Sequence, residues 1–184
     1  MSPKKYILGA MLLFSLAGCS ATLTQDIYSH TQADDDAVTA FVALSNMALE
    51  DDLLLAIEKD YAKEQDPLRK LWFEYLLAKR TQQQNYMNAF VANAEIHLNF
   101  LATNNTQWVS IAHPMLELIQ TYSYTDDKAL LVLLKLGAIS DGANANVISS
   151  TLVNLYQING ERVKRLASGA GVGEATLSIL LEDE

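Results

Sequence analysis

From Ala33 to the end of the 184-residue chain, apolar residues recur at intervals of three and four, and no stretch alternates apolar with polar over a strand's length. An apolar side chain every three or four positions keeps one face of an α-helix in a core, whereas a half-buried strand needs a period of two. The chain is therefore expected to be all-α. Asp34, Asp35 and Asp36 open a segment carrying Val38, Phe41, Val42, Leu44 and Leu49 on its apolar side, because acids in a first turn complement the helix dipole. A second segment runs from Asp51 to Lys63 with Leu54, Leu55, Ile57 and Tyr61. Asp66-Pro67 places a capping side chain before proline at the first helical position, and Leu68, Leu71, Trp72, Tyr75 and Leu76 follow at helical spacing. After the break at Thr81–Gln84, the residues Met87, Phe90, Val91, Ala94, Leu98 and Leu101 mark one longer helix, ended by Asn104-Asn105-Thr106.

Trp108 and Ile111 precede Pro114, which starts a helix containing Leu118, Ile119 and Tyr122. Thr125-Asp126-Asp127 caps the next, whose interior Leu130-Leu131-Val132-Leu133-Leu134 is apolar on every side and so belongs at the centre. Gly137 and the Ser140-Asp141-Gly142 turn close it. Val147, Ile148, Leu152, Leu155 and Tyr156 form another helix, ended by Asn159-Gly160. Val163–Ala167 and Thr176–Leu181 make two short final pieces. Eight or nine helices joined by short turns favour stacked antiparallel hairpins, either a helical-repeat-like solenoid or a compact irregular bundle. No tetratricopeptide or ankyrin signature recurs. Residues 33–184 are expected to form a single domain.

Composition narrows the function. With 13 basic against 22 acidic residues the net charge is −9, and a phosphate backbone needs clustered Lys and Arg, so nucleic acid is excluded as partner. Half the residues are apolar, too many for a disordered chain. A single cysteine rules out an intrachain disulfide, a thiolate zinc cage and a CxxC redox pair.

That cysteine has a particular place. Lys4 and Lys5 precede the apolar run Tyr6–Leu16, the n-region and h-region of an export signal, and the run is short of the roughly 20 residues a permanent span requires. Leu16-Ala17-Gly18-Cys19 then resembles, position for position, the lipobox of bacterial lipoproteins. The resemblance implies a leader at residues 1–18, cleavage before Cys19, a diacylglyceryl group on its thiol and an acylated new amino terminus. With Ser20 rather than aspartate following, it further implies the outer membrane. Loss of Lys4 and Lys5 leaves a mature charge of about −11, so the acyl chains rather than an acidic surface are expected to touch the membrane. Residues 19–32 are polar and without helical period after Cys19. They are expected to be a flexible tether of about 13 residues, reaching at most about 45 Å.

Candidate chemistry is sparse. Ser168–Thr176 is glycine-rich and precedes a helix, but Glu174 and Ala175 stand where a phosphate loop needs Lys before Ser or Thr, so it is expected to be a flexible joint. His30, His97 and His113 have no metal-ligand spacing, and neither Glu50-Asp51-Asp52 nor Asp126-Asp127 has calcium-loop order. No catalytic, cofactor or metal residue is assigned. Glu74, Glu95 and Glu117 are the interior acids that a carboxylate-pair hydrolase would draw on. Trp72, Phe73, Tyr75, Tyr122 and Tyr124 fit the core by spacing, while Trp and Tyr also anchor interfaces. These features together lead to the expectation of a lipid-anchored, periplasm-facing outer-membrane lipoprotein, not an enzyme. It would bind an envelope protein as scaffold, assembly factor or pilotin-like chaperone. The alternatives are a cell-wall hydrolase or its regulator, and an acidic inhibitor or immunity protein.

Overall fold

The computed structural model describes residues 22–31, 37–103, 112–140 and 142–182, and among these it is all-α, with ten helices and no strand. Cys19 and the lipobox, Asp34–Asp36, Asn104–Thr106, Trp108, Ile111 and Asp141 lie outside the described residues. Contacts divide the chain into two compact units, one ending at Arg80 and the other beginning at Thr81. Residues 33–184, expected as a single all-helical domain, are shared between these two packing units. The boundary falls at the last residue of α4, just before the short break at Gln82, whose φ is 54°, and from sequence that break looks like any interhelix turn.

The first unit contains α1 (22–30), α2 (Ala37–Ser45), α3 (Asp51–Tyr61) and α4 (Pro67–Thr81). Helix α1 corrects the flexible tether: Thr24, Tyr28 and Thr31, at spacings of four and three, are buried. Two polar residues and one tyrosine carry that face, so the hydropathy pattern does not reveal it. The Tyr28 hydroxyl donates to Asp60 of α3, and the Arg69 guanidinium of α4 donates to the Thr31 carbonyl at 2.8 Å. Burial and the adjacent Asp60 carboxylate push the Tyr28 phenol well above its ordinary range.

Helix α4 starts as its sequence dictates, with the Asp66 carboxylate accepting from the Arg69 N–H at 2.8 Å ahead of Pro67. Just before it, Glu64 accepts from the Gln65 and Asp66 amides and from the Arg69 side chain. Burial opposes ionisation of Glu64, but these donors outweigh it and hold the carboxyl below its usual value. Leu71 to Ala78 are buried without interruption, including Glu74, so α4 is the interior helix of this unit rather than an amphipathic one. Phe41 of α2 meets Phe73 and Trp72 edge-on, with ring centres 4.8 and 5.8 Å apart, the geometry that aromatic quadrupoles favour. In α3 the buried apolar residues are Leu53 and Ile57, while Leu55 is exposed, and Leu49 lies beyond the end of α2.

The second unit contains α5 (Gln84–Ile96), α6 (Leu98–Ala102), α7 (His113–Ser123), α8 (Asp127–Ile139), α9 (Gly142–Gly169) and α10 (Glu174–Leu180). The single helix expected through Met87–Leu101 breaks at His97, whose ψ of 29° interrupts the ladder. Helix α8 is the centre, as its all-round apolar sequence requires: it packs against α5, α6, α7, α9 and α10. Asp126 caps it, accepting from the Ala129 amide at 2.8 Å. Gly137 does not end α8 but lies within it, where a Cβ would stand 3.1 Å from Leu180 and 3.2 Å from Ile148. The glycine lets α10 and α9 approach the helix backbone closely.

Helix α9 kinks at Asn159, which has φ −153° and ψ 78° and caps the continuing half through Arg162 N–H at 3.0 Å. The break expected at Asn159-Gly160 is therefore real, although the Val163–Ala167 piece continues the same element. Arg162 then reaches three acceptors: the Asp127 carboxylate at 2.7 Å and the carbonyls of Ser123 at 2.9 Å and Tyr124 at 3.3 Å. One guanidinium thus joins the end of α7, the start of α8 and the second half of α9.

Candidate functional site

The glycine-rich stretch after α9 is a helix stop with defined bonds, not the flexible joint expected. Val172 N–H donates to the Ala167 carbonyl at 2.9 Å and Gly171 N–H to Ser168 at 3.2 Å, with Gly171 at φ 74°. This paired pattern satisfies carbonyls at a helix end and requires a left-handed residue, which glycine supplies without a Cβ clash. It turns the chain into α10.

Between α9, on both sides of its kink, and α10 lies an open groove of about 770 Å³, lined in part by Tyr156, Lys164, Val172, Glu174, Leu177 and Leu181. The Lys164 ammonium sits 5.7 Å from the centre of the Tyr156 ring and 3.5 Å from the Glu161 carboxylate. A hydrogen bond to Tyr156, together with the charge of Glu161, raises the Lys164 pKa. Gly160 keeps the Tyr156 ring close to the kink, since a Cβ there would stand 3.3 Å from it. A second groove of about 610 Å³, bounded by Gly137, Asn146, Ser149, Thr176 and Ile179, also borders α10. Ile179 is 67% exposed. These walls supply apolar area, hydroxyls, one cation and peripheral carboxylates, a set suited to holding a peptide surface.

The residues singled out from sequence are dispersed. In the first unit Glu74 is buried and accepts from the Tyr61 hydroxyl at 3.1 Å. In the second, Glu95 is at the surface, 2.6 Å from Lys135, and Glu117 is 3.4 Å from His113 and largely exposed. No two of these acids are brought together in either groove. Among the described residues no group of three His, Cys, Asp or Glu is placed to hold a metal ion, and no helix is long and apolar enough to cross a membrane. His30 is exposed on α1, and His97 occupies the break between α5 and α6. Trp72, Phe73 and Tyr75 are core residues; the Tyr75 hydroxyl lies 3.2 Å from Ser45 and accepts from Lys79 at 3.1 Å. Tyr122 is half-buried, which raises its pKa, whereas Tyr124 is exposed.

Nothing in the sequence marks Tyr156, Lys164 and Ile179 as groove residues. Gly160 stands four residues after Tyr156 and Lys164 four further on, an arrangement that gains meaning only across the kink. Comparison of the chain with protein families, with curated proteins and with solved structures finds no match.

Proposed function

We propose that this chain is a lipid-anchored protein of a bacterial envelope, facing the periplasm, that works by binding a partner protein as a scaffold, assembly factor or pilotin-like chaperone. The anchor rests on Leu16-Ala17-Gly18-Cys19. The binding role is carried by one observation: α10, seven residues long, presents Ile179 to solvent between two grooves. Apolar side chains at the centre of a concave, polar-rimmed surface are what interface anchors insert against. Glu174 and Glu182 at the groove edge favour a partner segment that is apolar with a basic margin, and such pairing speeds encounter and weakens with salt. A cell-wall hydrolase would need Glu95 or Glu117 inside a cleft, and both stand at the surface in pairs.

The test is photocrosslinking in cells from a reactive amino acid at Ile179, with Gln157, an exposed position on α9, as the comparison site. The same protein adduct is expected from position 179 in repeated captures, and not from 157. Equal or absent capture at the two sites would overturn the assignment of α10 as the binding surface.

A further inference from the structure

The described part of α1 starts at residue 22, and only Ser20 and Ala21 stand between that residue and Cys19 in the sequence. Three consecutive Cα–Cα steps span at most about 11 Å, compared with the roughly 6 Å thickness of one headgroup layer. An acyl chain on Cys19 therefore leaves the start of α1 at the level of the headgroups or just above them. Two hydrogen bonds tie helix α1 to its unit. Tyr28 is bonded to Asp60 of α3, and Arg69 of α4 to the Thr31 carbonyl, which fixes the helix at its far end from two directions.

The outward side of α1 suits such a position. Thr24, Tyr28 and Thr31 face the core, while Leu23 is 52% exposed and Ile27, one turn on, is partly exposed. The helix carries a single acid, Asp26, and no Lys or Arg. An apolar pair at the membrane-proximal end with little charge fits the interfacial zone of a zwitterionic bilayer, whereas it gains nothing in water.

We infer that the first unit seats directly on the lipid surface through the N-terminal end of α1, with Leu23 in the headgroup layer, so that anchorage fixes the unit's orientation as well as its location. This inference rests on acylation of Cys19, and it goes beyond it: a lipoprotein with a long linker would be equally anchored but unoriented.

The experiment uses the full-length protein, extracted from cells and reconstituted into phosphatidylcholine vesicles doped with headgroup-nitroxide lipid. A thiol-reactive, polarity-sensitive fluorophore is placed at Leu23→Cys, and in a second protein at Gln25→Cys, which keeps Leu23 intact. Intact mass establishes the acyl chains on each sample. Severalfold quenching is expected at both positions, with blue-shifted emission at 23. Inserting twelve Gly-Ser residues between Ala21 and Thr22 should abolish both while leaving the acyl mass unchanged. Water-like, unquenched emission from the acylated protein would overturn the seating alone, as would an insertion without effect. A mass lacking acyl chains, with residues 1–18 still attached, would overturn the lipid anchor and the seating with it.

Discussion

Arg162 shows how much of the second unit depends on single side chains. Its guanidinium satisfies two carbonyls at the end of α7 and pairs with Asp127 at the start of α8. Hydrogen bonds to charged groups contribute about 1.5–3 kcal/mol each where buried, and Arg162 is only 16% exposed. Arg162→Ala is expected to lower the urea midpoint by an amount equivalent to about 2–3 kcal/mol, and Arg162→Lys to recover only part, because the ammonium donates from one nitrogen and lacks the planar spread of the guanidinium. The partner carboxylate is more exposed, so its share is smaller. Hydrogen bonds from Arg162 and Arg165 hold the Asp127 carboxyl below its ordinary value. A depressed carboxyl adds stability that is complete above its unfolded pKa and disappears as pH falls through the folded one. Denaturation curves should therefore show the Asp127→Asn penalty at neutral pH and its disappearance as pH falls through the lowered pKa of the folded carboxyl. Gly137 makes the opposite kind of prediction. Its Cβ position is hemmed in by Leu180 and Ile148, so Gly137→Leu should cost about 1–3 kcal/mol by overpacking and speed hydrogen exchange in α10 first. None of these partnerships is visible in sequence, where Arg162 is one cation among 13 and Gly137 reads as a stop.

At the scale of elements, local chemistry was legible wherever a helix boundary is set by its own residues. Asp66-Pro67, Asp126 and Asn159-Gly160 each act where their side chains predict, because capping needs only neighbours within three positions. Asp126→Ala should cost about 1 kcal/mol in a urea melt, the usual worth of a cap, and Asp126→Asn much less. The misplaced boundaries have a different origin. Helix α1 is held by Tyr28–Asp60 and Arg69–Thr31, partners 32 and 38 residues apart in sequence, and no window of residues 19–32 contains that information. Tyr28→Phe tests this directly: exchange of the amides in 22–30 should accelerate severalfold while those of α4 stay protected. If α1 protection survives the loss of the hydroxyl, the helix is held by packing alone. The His97 break likewise has no glycine or proline to announce it.

For the whole molecule, the apolar period of three and four was enough to establish an all-α chain and to put Leu130–Leu134 at the centre of its unit. It was silent on the division at Arg80, which falls inside the last turn of α4 and so has no turn signal of its own. The interior of α8 should be correspondingly sensitive. Leu133→Ala, at a fully buried position, is expected to cost about 2–5 kcal/mol in equilibrium unfolding. The site was less legible than the fold, because the grooves beside α10 depend on a kink, a left-handed glycine and the exposure of one isoleucine, each a consequence of tertiary placement. Location rests instead on four consecutive residues. The most direct measurement is therefore tandem mass spectrometry of the N-terminal peptide from protein extracted out of native membranes. The expected peptide begins at Cys19 and bears diacylglycerol on sulfur with a fatty acyl group on nitrogen. A peptide carrying residues 1–18 and a free thiol would contradict the lipid anchor.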